Sequence, residues 1–381
     1  MHPTKIRYYF QAINSTILGV ILVFILTAGI TTSFFSLKLS SNYVSNFLKD
    51  VDSTNLYYEI FRSENHFFPE TTSSGLSFSK LFFQVATNIK LDDTRTLLGR
   101  ELPLLTFYHT DIIVAENGTT IANLPYESTP SEEILKNPKE ANEESIEKEQ
   151  TEEKENTKPI QVAKTKKVFI YQTHNIESYL PLLKNATNPD DAISADPRVN
   201  VVSLGSKLTS LLQKEGIGVE HDKTNFNQKL LDRKWSYSSS YTMSKEVVKE
   251  AVVSNDDLTY LIDIHRDSSR RQATTTTING KSYARLVFVI GQANKNYEKN
   301  TEFAKKLNNK LKEKYPGISR GILGKAKTEG NGIYNQDFSN KAILLEVGGV
   351  DNNQAELKRT MEAFADVFSE VYWEENNATE Q

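Results

Sequence analysis

Five short apolar runs, interleaved with helix-length amphipathic stretches, constrain this chain more than any other feature. They are KVFIYQTH (167–174), IGVEHD (217–222), LTYLIDIH (258–265), ARLVFVIG (284–291) and KAILLEVGG (341–349). Around them lie NVVSLGSKLTSLLQKEG, a helical pattern at 243–254, TEFAKKLNNKLKEKY and QAELKRTMEAFADVFSEVYW, with apolar residues at three- and four-residue spacing. Strands alternating with helices predict an α/β fold: an open, largely parallel sheet with helices on both faces. Residues 165–376 form this domain and 377–381 a tail. In such sheets functional groups gather beyond the carboxyl ends of the strands.

Three of these strands end in ionisable groups. His174 closes the first, with Glu177 just beyond; His265 closes the third; the last carries Glu346. There is no cysteine, so disulfides, thiol nucleophiles and cysteine-held zinc are excluded, and a metal must be held by His, Asp or Glu. Histidine occurs only at positions 2, 66, 109, 174, 221 and 265. A zinc hydrolase needs three nitrogen or oxygen ligands, an open position for water and a nearby carboxylate. His174, Glu177 and His265 suit the ligand roles and Glu346 the general base. The competing reading is structural: a lone histidine at a strand end is commonly a hydrogen-bonded core residue, and Glu346 could simply pair with Arg266. No HExxH occurs, so the helix-borne metalloprotease arrangement is absent. His66 and His109 sit among aromatics and read as structural, and His221 as solvent-exposed.

Upstream, Thr16 to Leu37 carries no charge. As a helix it would be roughly 33 Å long, enough to span a hydrocarbon core of about 30 Å. It predicts a single-pass anchor over 16–37 after a short cytoplasmic stretch at 1–15, with the bulk of the chain outside the cytoplasm. A cleaved signal peptide is the alternative, but no A-x-A-like site follows the run. Residues 38–130 predict a small, mainly helical membrane-proximal module. From 131 to 164 the chain is rich in Glu and Lys and almost devoid of large apolar residues, and reads as an acidic flexible linker. The formal net charge of −4 argues against binding nucleic acid through bulk charge.

YQTHNIESYLP, IDIHRDS and LLEVGGVDNN resemble the three signature stretches of the stage II sporulation protein P family. LLGRELP (97–103), GKSYAR (280–285) and NGIYNQD (331–337) are similar to that family too, so the likeness covers nearly the whole chain. It implies a membrane-anchored, zinc-dependent peptidoglycan hydrolase of endospore formers, related to N-acetylmuramoyl-L-alanine amidases. The implied activities are cleavage of the muramoyl–alanine amide and of peptide cross-links during engulfment of the forespore. The implied setting is the mother-cell membrane facing the septum, with stage II sporulation proteins D and M as partners. Carried over by motif, the ligands fall on His174, Glu177 and His265 and the catalytic carboxylate on Glu346. Arg266, Asp267, Asn331, Tyr334 and Asn335 become candidates for orienting ligands or facing substrate.

One position departs from the family pattern, which reads His-Thr-His where this chain has Gln172-Thr173-His174. With a strand period of two, residues 172 and 174 would share a face. If His174 is the ligand, Gln172 orients a neighbour or the substrate. If position 172 is the ligand, the site is weakened, and the protein becomes a peptidoglycan-binding scaffold in the engulfment complex.

Overall fold

The computed structural model describes residues 110–120, 123–127, 130–150, 163, 165–327 and 330–377. The anchor expected at 16–37 and most of the expected helical module lie outside these residues. Among the described residues no helix is long and apolar enough to cross a membrane.

In chain order the elements are β1 (Asp111–Ala115), α1 (Glu132–Lys136), α2 (Glu143–Gln150), β2 (Val168–Tyr171), α3 (Val201–Lys214) and β3 (Val219–His221). Then come α4 (Phe226–Arg233), α5 (Ser240–Ser254), β4 (Tyr260–Asp267), β5 (Thr275–Ile278), β6 (Lys281–Ala284) and β7 (Leu286–Gly291). Last are α6 (Tyr297–Lys314), β8 (Ser319–Lys325), β9 (Lys341–Gly349) and α7 (Gln354–Asn377). Seven strands form one sheet in the order β1-β8-β7-β9-β4-β2-β3, and β5 and β6 form a separate hairpin.

The sheet is largely parallel, as expected, but mixed. β9, β4, β2 and β3 run parallel, but β7 lies antiparallel to β9 and β1 antiparallel to β8. The cause lies between β4 and β7. A parallel return needs a long crossover, usually a helix, whereas this connection holds one four-residue helical turn and the β5–β6 hairpin. The chain therefore runs back down beside β9.

Each face buries a different half of every strand. Val168 and Ile170 of β2, Ile262 and Ile264 of β4 and Leu345 and Val347 of β9 enter the main core with α3, α6 and α7. α3 supplies Val201, Leu204, Leu208 and Leu212 at helical spacing; the Asn200 side chain caps it by accepting from Val202 N, and Gly216 at φ +77° follows its end. Phe169, Tyr171 and Leu261 face the other way, onto α5.

Two stretches expected to lie outside this domain belong to it. DIIVA, placed by sequence in the helical module, is edge strand β1. Residues 131–146, expected to be linker, pack on the domain: Leu135 joins Ile176 and Ile193, Ala141 bridges to Leu183, and Ile146 enters the main core. The acidic residues there find cations, with Glu143 2.7 Å from Arg198 and Glu140 3.2 Å from Lys184. Three apolar side chains cannot make a core of their own, but they can fill grooves a neighbouring domain presents.

Candidate metal centre

Along β4, Ile262 and Ile264 go to the main core, so Asp263 and His265 face the side covered by α5. β9 lies parallel beside it with Glu346 in register with His265. β2 stops at Tyr171, opposite Asp263, and the chain then turns, with Glu177 N donating to His174 O at 3.0 Å. The turn carries His174 and Glu177 to His265.

The three offer ligand atoms all within 4.8 Å of one another. His174 Nδ1 is 3.4 Å from Glu177 Oε1, and His265 Nδ1 is 3.6 Å from Glu177 Oε2. At these separations both are ion-pair contacts, and neither Nδ1 has a hydrogen-bond partner among the described residues. Glu346 Oε2 likewise has none. His174 is 5% exposed, Glu177 3%, His265 0% and Glu346 2%. Buried polar atoms without partners are costly. Here the two partnerless Nδ1 atoms converge on the Glu177 carboxylate, and two imidazoles with a carboxylate are a donor set that zinc favours. The residues fit such an ion: His174, Glu177 and His265 would hold it, with Glu346 alongside.

The supporting contacts are specific. Glu177 Oε2 accepts the backbone N–H of Arg266 at 2.8 Å. Asp263 Oδ1 lies 3.1 Å from His265 Nε2, which leaves Nδ1 to face the cluster. Asp263 is itself fixed by Thr173, whose N–H donates to Oδ1 at 2.8 Å and whose hydroxyl donates to Oδ2 at 2.6 Å. A carboxylate behind a ligating imidazole sets its tautomer and raises its basicity.

The charges separate the groups. Burial pushes the Glu177 carboxyl up, but the close His174 imidazole and the charge of His265 outweigh it and bring the group down to about 2. Burial pushes Glu346 up; His265 opposes, Glu177 and Glu127 add, and the carboxyl reaches about 8. Burial would depress His265, yet Asp263, Glu177 and Glu346 together raise it to about 10. The pocket stabilises positive charge at its centre and lifts the proton affinity of one carboxyl far above the usual carboxylate range.

The remaining candidates fall into other contacts. Gln172 does not share a face with His174: its Oε1 lies 3.2 Å from His221 Nε2, beside Gly205 of α3 on the opposite face. The alternation stops because the strand does, at Tyr171. His221 is half-buried rather than solvent-exposed. The Arg266 guanidinium donates to Asp267 O, Ser268 Oγ and Ala192 O. Asp267 pairs with Arg320 and accepts from Tyr126 N at 3.2 Å and Ser269 N at 2.8 Å, fastening the segment that follows β1. Tyr334 and Asn335 both have φ +54°. Tyr334 meets Tyr241 edge-on, and Asn335 Nδ2 donates to Ser244 Oγ at 2.8 Å, the hydroxyl that Thr173 also reaches. The Asn331 carboxamide accepts from Tyr334 N at 2.7 Å and shapes that loop.

Several residues at the cluster were not foreseen. Asp263 was legible in principle, since IDIH puts it two positions before His265 on a strand. Tyr237 stacks on His174 with ring centroids 4.8 Å apart, and Tyr241 meets the same imidazole edge-on at 5.4 Å. They come from the turn before α5 and its first residues, where sequence gives no pointer to the site. Lys325 is buried and lies 3.6 Å from Glu127, close enough for both charges to act on Glu346.

A mixed α/β sheet carrying a buried His–Glu–His cluster with a separate buried carboxylate defines an α/β protein with a candidate cation centre. The profile of the stage II sporulation protein P family matches residues 92–369. Stage II sporulation protein P of Bacillus subtilis (strain 168) is 42% identical over 370 residues, covering 96% of this chain and 92% of that protein. This chain belongs to the stage II sporulation protein P family, a family of sporulation proteins. Among solved structures, Cwp6 from Clostridium difficile overlaps 54% of the chain at a TM-score of 0.33 and 17% identity. The overlap spans 29% of that chain and is too loose to bear on the site.

Proposed function

We propose that this protein is a zinc-dependent peptidoglycan hydrolase that cleaves the N-acetylmuramoyl–L-alanine amide and peptide cross-links during engulfment. The observation that carries the reading is the convergence of His174, Glu177 and His265 within 4.8 Å, with Glu346 in register beside His265. Bound zinc would supply a Lewis acid and a water that loses its proton near neutral pH. Glu346 would take a proton from the attacking water and return it to the amide nitrogen as the carbon–nitrogen bond breaks. Its raised proton affinity suits both halves of that transfer. Asp263 would keep the His265 ring aligned, and the Arg266 amide the Glu177 carboxylate. Membrane attachment through residues 16–37, an extracytoplasmic site on the mother-cell membrane, and work with stage II sporulation proteins D and M complete the proposal. The scaffold alternative drew its motive from Gln172, whose amide lies against His221 and Gly205 and not among the three donors.

Purified sacculi incubated with the full-length protein test the reading. Release of stem peptides from intact glycan strands, read by mass spectrometry, is the expected result. Glu346→Gln should slow it by about 10²–10⁴-fold while metal content stays constant. Unchanged sacculi with the wild-type protein would refute the hydrolase.

A further inference from the structure

Tyr241, in the first turn of α5, lies flat against His265, with ring centroids 6.1 Å apart and planes 10° from parallel. It meets His174 edge-on at 5.4 Å and Tyr334 edge-on at 5.0 Å. It is thus the one aromatic among the described residues with ring contacts to both candidate ligand imidazoles and to the 331–337 loop. The residue is 8% exposed, and its hydroxyl is buried with no hydrogen-bond partner.

The ring has a structural explanation and the hydroxyl has none. Tyr241 packs with Val289, Leu344 and Tyr334, and phenylalanine would make the same apolar contacts. A buried hydroxyl without a partner costs stability relative to phenylalanine. The helix that carries it is tied to the cluster's own support, since Ser244 Oγ lies 2.9 Å from the Thr173 hydroxyl, whose proton goes to Asp263, and accepts from the Asn335 amide at 2.8 Å. A tyrosine hydroxyl carries its proton at neutral pH and can donate it to a hydrogen bond. The ring therefore lies against both imidazoles of the cluster, and its hydroxyl is a donor lacking an acceptor.

We propose that Tyr241 is a further catalytic residue, its hydroxyl donating a hydrogen bond to the oxygen of the scissile amide as that oxygen becomes an oxyanion. The inference rests on the hydrolase reading above. Water adds its oxygen to the carbonyl carbon and the C=O electron pair moves onto oxygen, where the Tyr241 hydrogen bond strengthens. When the pair returns, the carbon–nitrogen bond breaks and nitrogen takes the proton that Glu346 received from water. Tyr241 keeps its own proton throughout. A preorganised donor at such a position contributes about 10²–10³ in kcat.

Tyr241→Phe in the full-length, zinc-loaded protein tests this. The expected result on a soluble muropeptide is a fall in kcat of about 100-fold with KM and zinc content little changed and the melting temperature held or raised. A second measurement needs no turnover: calorimetric binding of acetohydroxamate, whose oxygens mimic the reacting carbonyl. Its affinity should weaken about fivefold in the variant, the loss of one hydrogen bond. A kcat within twofold of wild type together with unchanged acetohydroxamate affinity overturns the proposal. If the wild type binds zinc but cleaves nothing, the hydrolase reading fails by itself. The acetohydroxamate comparison then decides on Tyr241, equal affinities overturning its role as a donor. Absence of zinc from the wild type overturns both.

Discussion

His265 and His221 sit on opposite faces of the same sheet, and the protein treats their imidazoles in opposite ways. His265 is fully buried, which alone would strip its proton, but Asp263, Glu177 and Glu346 raise its pKa to about 10. His221 is half-buried beside the Gln172 carboxamide; burial, and secondarily the charge of Lys223, bring it down to about 4. Burial alone predicts the second outcome but not the first. What separates them is the company of carboxylates: three act on the first, while a neutral amide and a cation attend the second. The His265 pocket favours positive charge, and the His221 pocket favours a neutral ring packed against Gly205 of α3. Gln172 belongs to the second pocket, although it is only two residues from His174.

Asp263→Asn is the variant that should erode this difference most. It removes the carboxylate behind His265 and should weaken zinc affinity by about 10- to 100-fold, measured by competition with a chromophoric chelator. Unchanged affinity would mean that the Asp263–His265 contact does not set the ring's basicity.

Gly205→Ala probes the other pocket. A Cβ there would overlap Gln172 Nε2 and His221 Nε2. Overpacking of this kind costs about 1–3 kcal/mol, offset by up to about 1 kcal/mol of helix propensity. Net destabilisation in urea with metal content unchanged is expected; loss of metal would show the two faces to be coupled.

The smallest expected effect is in pH. The folded pKa of His221 lies below the unfolded value of about 6.5, so the unfolded chain binds the proton more tightly. The stability contributed by the neutral ring is present above pH 6.5 and is lost as pH falls toward 4. For a half-buried group, trimmed by solvent screening, that is on the order of 1–2 kcal/mol. His221→Gln should flatten the stability profile in this window, and an unchanged slope would place the titration elsewhere.

The parts of this arrangement legible in sequence are those written locally. Strand–helix alternation marked β2, β3, β4, β7 and β9 and their covering helices, because each carries its own period. The meeting of His174, Glu177 and His265 was legible because they follow β2 and sit at the end of β4, parallel neighbours, with Glu346 of β9 in register beside them. Direction in the sheet was not, since antiparallel β7 reads the same in residues as a parallel strand. β1 pairs with β8 across some two hundred residues, and no local pattern records such a partner. Residues 131–146 misled for a related reason: composition measures what a segment can bury by itself, whereas Leu135 and Ile146 are buried by the domain beside them. Gln172 misled because a strand period was carried one turn past the strand's end.

The most direct test of a metal centre at His174, Glu177 and His265 is the zinc content of purified full-length protein, alongside His174→Ala and Gln172→Ala. About one zinc per chain is expected in the parent, lost in His174→Ala and kept in Gln172→Ala. A parent protein without zinc, or zinc lost on replacing Gln172 but not His174, would contradict the assignment.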